Sequence, residues 1–136
     1  MPALLPEASE LWLDGGHNPA GARAIAEFFR SRVAPGRPFR IVMGMLANKD
    51  LRGFLEPFGG SAVTVRAVPV PGHEHHDPAE IVAMAESLGL SGSIAADPLA
   101  AVAEIGREGG AAPVVLIGGT LYIAGSVLSA NGTPPT

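Results

Sequence analysis

The chain has 136 residues, 47% of them hydrophobic and 16% charged, which is enough for one folded domain with a single core. The formal net charge of -4, without any Lys- or Arg-rich run, argues against nucleic-acid binding. The lack of cysteine excludes disulfides, thiolate metal sites and a cysteine nucleophile. No apolar run has the length of a membrane span and the start lacks a signal peptide's basic region, so we expect a soluble, cytoplasmic protein without a membrane partner.

Short apolar runs alternate with amphipathic stretches of helical length along the chain. The predicted strands are Glu10–Leu13, Phe39–Met45, Ala62–Val68, Ser93–Ala95 and Pro113–Ile117. The predicted helices are Pro19–Val33, Asp50–Phe58, Pro78–Leu88, Pro98–Glu108 and a last one from about Leu121 to Ser129. We expect one domain over residues 1–136, in which 1–9 are a linker remnant and 130–136 a flexible tail.

Three of the helices begin with the same pair of residue types, namely Asn18-Pro19, Asp77-Pro78 and Asp97-Pro98. In each pair the first side chain can accept the free amide hydrogens of the first helical turn. The proline supplies a helical φ at a position where no donor is needed. These pairs therefore predict where the three helices start.

Strands that are nearly continuously apolar, alternating with helices, predict a doubly wound, Rossmann-like α/β domain. We expect a mostly parallel sheet of about five or six strands with helices on both faces. Ligands bind such sheets beyond the carboxyl ends of the strands. Three polar, glycine-containing segments lie at such ends: Leu13–Ala20 (LDGGHNPA), Gly44–Asp50 (GMLANKD) and Ile117–Tyr122 (IGGTLY). We predict that all three line one edge of the sheet.

The first segment combines a carboxylate, an imidazole and a helix start. Asp14 can bind a ribose hydroxyl, a metal-bound water or a cation, and His17 can donate, accept and titrate near neutral pH. The amides around Asn18 open a helix, whose positive end favours phosphate or carboxylate. The alternative is that Asp14 caps a turn and His17 is an ordinary surface residue.

The other two segments offer a cation and a hydroxyl. Lys49 can meet an anion or be an exposed lysine in a turn that opens a helix. Thr120 can cap the last helix or bond a ligand, and the glycines before it permit close approach of the backbone. The chain contains neither the GxxxxGKS/T phosphate loop nor the GxGxxG dinucleotide pattern.

Three of the four histidines cluster at His73, His75 and His76 in the segment PGHEHHDP. A metalloprotease HExxH motif would need a histidine where Asp77 stands. The segment is predicted to be a solvated loop, so a metal site there, and with it a small metallohydrolase, is the weaker alternative.

Taken together, the three segments resemble the carboxy-terminal domain of folylpolyglutamate synthase/dihydrofolate synthase, in the Mur ligase family. The family's usual LDGAHNP is matched with Gly16 for alanine. GMLADKD is matched by Gly44–Asp50 with Asn48 for aspartate, and GSLYLAG by Gly119–Gly125 with Thr120 for serine. The order of all three agrees, and the resemblance covers nearly the whole chain.

The resemblance implies an ATP-dependent ligase that adds L-glutamate to dihydropteroate or a folate through an acyl phosphate. It implies that ATP and Mg are bound mainly by an amino-terminal P-loop ATPase domain outside this sequence, which closes on this one. Asp14 would face the nucleotide, while His17 and Thr120 would hold glutamate. The supporting loop residues would be Gly15, Gly16, Asn18, Lys49, Asp50, Gly119 and Tyr122, with no catalytic residue and no metal ligand here.

Two features depart from the family pattern. Thr120 adds a methyl group to the usual serine, and the arginine that the family tends to place in the interdomain linker is missing, because the first arginine is Arg23. We expect a monomer that is inactive as an isolated domain. The alternatives are a stand-alone α/β module that binds a nucleotide or anion without catalysis, and the equivalent domain of a cell-wall Mur ligase.

Overall fold

The computed structural model of the chain describes residues 10–13, 23–24, 26–27, 39–59, 63–108 and 113–118. Five strands within these ranges form one sheet: β1 Glu10–Leu13, β2 Phe39–Met43, β3 Val63–Ala67, β4 Ser91–Ile94 and β5 Val114–Gly118. Their order in the sheet is β1-β5-β2-β3-β4, and every neighbouring pair is parallel. The predicted α/β fold with a parallel sheet is confirmed.

Three α-helices have defined bounds among the described residues: α1 Leu51–Leu55, α2 Pro78–Ser87 and α3 Pro98–Gly106. A 3-10 turn, Glu56–Phe58, continues α1. Residues 23, 24, 26 and 27 are helical and fall within the predicted first helix. The predicted last helix, from about Leu121 to Ser129, lies outside the described residues. No helix in the described part of the chain is long and apolar enough to cross a membrane.

The two faces of the sheet are each covered by helices. Alternation along β2 sends Ile41 and Met43 into the core under α1 and α2, and Val42 into the core under α3. Each of these three side chains is fully buried. This arrangement, with helices on opposite faces of a parallel sheet, is the doubly wound layering that the sequence predicted.

The two described helix starts with an Asp-Pro pair have the predicted geometry. The Asp77 carboxylate accepts a hydrogen bond from the Ala79 amide at 2.8 Å. The Asp97 carboxylate accepts one from the Ala100 amide at 2.7 Å. Each proline occupies the first helical turn, where the lost donor has no cost. Asn18-Pro19 lies outside the described residues.

The largest difference from the predicted elements is β4, which begins at Ser91 and not at Ser93. Thr64 pairs with Ser91 and Val65 with Gly92 in the β3–β4 ladder. Main-chain pairing at the edge of the sheet therefore includes Ser and Gly, which carry no apolar signal in the sequence. β2 also ends two residues earlier than predicted, at Met43, because the chain turns out of the sheet at Gly44.

Candidate functional site

The strands that precede the three candidate segments are neighbours in the sheet. Leu13 of β1 pairs with Ile117 of β5, which in turn pairs with Val42 of β2. The carboxyl ends of β1, β5 and β2 therefore lie side by side, as the sequence predicted for the edge where ligands bind. The segments themselves are only partly described: Lys49 and Asp50 belong to the described residues. Those outside them, whose roles stay predictions, are Asp14, Gly15, Gly16, His17, Asn18, Gly119, Thr120 and Tyr122.

The segment Gly44–Asp50, here called the β2 loop, leaves the sheet at Gly44, where its backbone lies close to Val68 and Val70. A Cβ atom at Gly44 would lie 2.8 Å from Val70 Cγ2 and 2.9 Å from the Val68 carbonyl oxygen. Carbon atoms in contact normally stay about 3.5–4.0 Å apart, so a larger residue would displace this strand end. The glycine is needed here for close approach of two backbones.

Asp50 closes the β2 loop by starting α1. Its carboxylate accepts a hydrogen bond from the Gly53 amide at 2.9 Å, and its carbonyl oxygen accepts one from the Phe54 amide at 3.1 Å. The Lys49 amide donates to the Leu46 carbonyl at 3.0 Å, which makes the loop a tight turn. Asp50 thus acts as a helix cap, and Lys49, half-buried, is the cation that the loop presents.

Phe54, in the helix α1 that follows the β2 loop, packs on the end of β5. A Cβ atom at Gly118 would lie 2.8 Å from Cζ of Phe54, whose side chain is fully buried. The ring therefore packs directly on the backbone of Gly118, where β5 ends. The helix α1, which follows the β2 loop, therefore packs on the end of β5.

The histidine-rich segment lies against the β2 loop. The Ala47 amide donates to the Glu74 carbonyl at 3.0 Å, and the His76 amide donates to the Met45 carbonyl at 2.8 Å. Nε2 of His76 lies 2.9 Å from the Lys49 carbonyl oxygen. The prediction of a solvated loop is wrong for His76, whose side chain is only 16% exposed, and holds for the exposed residues 71–74.

The three clustered imidazoles do not converge. Nδ1 of His75 bonds to the His73 carbonyl within its own segment, whereas the His76 ring faces Lys49 and Glu80. Among the described residues, no group of three or more His, Asp and Glu side chains is arranged to hold a metal ion.

An open depression of about 410 Å³ lies beside Asp50. Its lining residues are Arg23, Asp50, Arg52, Gly53, Glu56 and Pro57. Arg52 and Glu56 form an exposed ion pair at 3.0 Å, one helical turn apart. With charges of both signs and open access to solvent, the depression favours no single ligand charge.

A second charged cluster lies on the sheet face that α3 covers. Glu108 accepts hydrogen bonds from Arg40 at 2.9 Å and from Arg66 at 2.7 Å, and Arg66 also reaches Glu104 at 3.4 Å. Burial by itself raises the pKa of Glu108, but the hydrogen bonds and positive charges of Arg66 and Arg40 outweigh it and leave that pKa below its ordinary value of 4.5. This cluster ties the end of α3 to β2 and β3, and we assign it to the fold.

The chain matches a known protein family. The family model for the Mur ligase glutamate ligase domain matches residues 6–121. A search of curated protein sequences found no significant match.

Three solved structures show the similarity in fold. Folylpolyglutamate synthase from Thermotoga maritima is 27% identical, with a TM-score of 0.69 over 88% of this chain and 27% of that one. Folylpolyglutamate synthase from Mycobacterium tuberculosis, complexed with ADP and AMPPCP, is 20% identical, with a TM-score of 0.76. This match covers 100% of the present chain and 33% of the other. The bifunctional folylpolyglutamate synthase/dihydrofolate synthase from Yersinia pestis, complexed with AMPPNP and Mn ion, is 24% identical, with a TM-score of 0.72. This match covers 96% of the present chain and 31% of the other.

The chain spans between 27% and 33% of the length of these three proteins. It aligns with them over 88% or more of its own length. The family model covers most of the chain as well, and the chain therefore belongs to the Mur ligase family, as a glutamate ligase domain.

Proposed function

We propose that this chain is the glutamate-side domain of an ATP-dependent ligase that adds L-glutamate to dihydropteroate or to a folate. The observation that carries the proposal is that β1, β5 and β2, the strands that the three motif segments follow in the sequence, have neighbouring carboxyl ends. The family match and the 27% identity to a folylpolyglutamate synthase support it. The folate substrate distinguishes this proposal from a cell-wall Mur ligase, which would use the same fold.

The proposed reaction has two steps. A carboxylate oxygen of the folate attacks the γ-phosphorus of ATP, so that an acyl phosphate forms and ADP leaves. The amine nitrogen of glutamate then attacks the acyl carbon, inorganic phosphate leaves, and the nitrogen loses a proton. A site closed between two domains protects the acyl phosphate from water.

The described residues do not fit a site for the nucleotide phosphates or for magnesium. They contain no cluster of metal ligands, and the sequence contains no GxxxxGKS/T motif. We therefore assign both to an amino-terminal ATPase domain, as the family resemblance implies, and assign no step on this chain to the metal. Without that domain the isolated chain is expected to be inactive.

On this chain, the proposed tasks are binding and orientation. Asp14 would face the nucleotide, and His17 and Thr120 would hold the glutamate. Lys49, presented by the β2 loop, supplies positive charge at the same edge of the sheet, where carboxylates and the departing phosphate would lie.

The test is a ligation assay with the full-length protein that carries this domain. We expect phosphate release from ATP that requires both L-glutamate and dihydropteroate or a reduced folate, with a glutamylated product by mass spectrometry.

His17→Ala should raise the KM for glutamate more than the KM for ATP, and an equal rise in both would contradict the role given to His17. Phosphate release that instead requires a cell-wall precursor and another amino acid would refute the folate assignment. If neither system supports turnover but the protein binds a nucleotide, it is a non-catalytic module.

A further inference from the structure

We propose that His76 is a positioning residue: its imidazole holds the Lys49 carbonyl and so fixes the direction in which the Lys49 side chain leaves the β2 loop. The identity of the ligand that Lys49 contacts rests on the proposed function. The contact between His76 and the β2 loop is independent of that function, because it joins two segments of this chain.

The segment His73–His76 runs alongside the β2 loop and is bonded to it at several points. Leu46 and His75 form an isolated antiparallel bridge. The bridge consists of two hydrogen bonds, from the Ala47 amide to the Glu74 carbonyl and from the His76 amide to the Met45 carbonyl. Both join backbone atoms only, so the histidine-rich segment acts as a short extra strand beside the loop.

The His76 ring adds a side-chain contact that reaches the end of the loop. The Lys49 carbonyl oxygen can only accept, so Nε2 of His76, at 2.9 Å, carries the proton and donates it. Nδ1 of the same ring lies 3.5 Å from the Glu80 carboxylate on α2. Asp77 caps α2 immediately after His76, so the position of the ring is fixed by the start of a helix.

These contacts immobilise the backbone on both sides of the Lys49 side chain. Its amide donates to Leu46, its carbonyl accepts from His76, and the next residue, Asp50, is fixed as the cap of α1. Without the imidazole, the peptide between Lys49 and Asp50 loses its only side-chain partner among the described residues and can rotate. The ammonium group at the end of a long side chain would then spread over several positions. A misplacement of about 1 Å in a binding group can lower a rate roughly 100-fold.

The first experiment uses amide hydrogen exchange on the 136-residue chain. His76→Leu keeps a side chain of similar bulk and removes the donor, so the Ala47 amide should exchange faster than in the wild type. The Ala95 amide, which bonds to the Ala67 carbonyl beside the sheet, should exchange as before. His76→Gln places an amide nitrogen where Nε2 was and should restore protection of Ala47. His75→Leu is the matched control, because the His75 ring bonds within its own segment.

The second experiment measures kcat/KM for glutamate in the full-length ligase. We expect His76→Leu to lower it about 10- to 100-fold, His76→Gln to stay within about 3-fold of wild type, and His75→Leu to have no effect. If His76 acts through Lys49, then His76→Leu must cost nothing further in a Lys49→Met background. A purely structural role would instead lower kcat/KM by the same factor in both backgrounds, and that result would overturn the inference.

The failures of the two proposals can be told apart. A wild-type protein that does not ligate glutamate refutes the proposed function, and the exchange of Ala47 still decides whether His76 holds the loop. Unchanged Ala47 exchange in His76→Leu refutes the positioning role whatever the activity. Should His76→Leu fail to fold, His76→Gln and His76→Asn form the decisive pair, because the shorter asparagine cannot reach the Lys49 carbonyl. Equal exchange and activity in that pair would also overturn the inference.

Discussion

The contact between Phe54 and Gly118 should be measurable as a thermodynamic coupling. Gly118→Ala places a methyl carbon 2.8 Å from Phe54 Cζ, so the two groups must separate by about 0.7 Å or more to reach ordinary contact. The ring cannot simply swing away, because it is fully buried and packs on Phe58, with 6.1 Å between ring centroids. We expect Gly118→Ala to lower the free energy of unfolding by about 1–3 kcal/mol, the usual range for overpacking.

Phe54→Leu removes the colliding atom. Alone it should cost about 1–2 kcal/mol, less than truncation to alanine. In the double variant the new methyl group at Gly118 meets a smaller side chain, so the two losses should not add. The expected coupling is about 1–2 kcal/mol in favour of the double variant, measured by urea unfolding of the wild type, both single variants and the double variant.

Gly44→Ala is the matched control for this cycle. Its Cβ would collide with Val70 and Val68 on the other face of the sheet, so it should also destabilise. Its effect should add to that of Phe54→Leu within about 0.5 kcal/mol, since the two sites share no partner. If Gly118→Ala and Phe54→Leu are also additive, the ring does not rest on Gly118, and the contact between α1 and the end of β5 is refuted.

Three further outcomes concern the fold. Glu108→Gln should lower the free energy of unfolding by about 1–2 kcal/mol at pH 7, because Arg40 and Arg66 lose their shared carboxylate. Since the pKa of Glu108 in the folded state lies below 4.5, its contribution to the free energy of unfolding is present above that pH and is lost as the pH falls through the folded pKa. The free energies of unfolding of the wild type and of Glu108→Gln should therefore converge on acid titration, and a constant difference would contradict this. Asp97→Ala should cost about 1 kcal/mol in urea unfolding by removing the α3 cap, and an unchanged midpoint would contradict the cap. Thr64→Val should raise the melting temperature, because the Thr64 hydroxyl is buried without a partner among the described residues, and a lower temperature would contradict that.

The elements that could be predicted from the sequence are those whose signal lies in side chains. The Asp77-Pro78 and Asp97-Pro98 pairs predicted two helix starts, because a capping carboxylate and a fixed φ act locally. The apolar run that becomes β5 predicts a buried strand, since a strand covered on both faces needs apolar residues throughout. The parallel direction of the strands follows from strand–helix alternation, whereas their order in the sheet is known only from the structure.

The elements that the sequence missed depend on the main chain. β4 begins with Ser91 and Gly92, which join the sheet through ladder hydrogen bonds and carry no apolar pattern. The polar neighbours of His76 predict a solvated loop, whereas the partner of its ring is a carbonyl group 27 positions away. Neither kind of contact produces a hydrophobic periodicity that can be recognised in the sequence.

A topological rule could predict the position of the histidine-rich segment. Neighbouring parallel strands bring the loops at their carboxyl ends together, which is the reason the three motif segments were expected at one edge. The segment His73–His76 follows β3, and β3 is the other neighbour of β2. Applied to it, the same rule would place this segment beside the β2 loop, as the structure does. The next strand in the sheet therefore predicts which segment lies against a motif loop, and here that segment is bonded to the loop through its backbone.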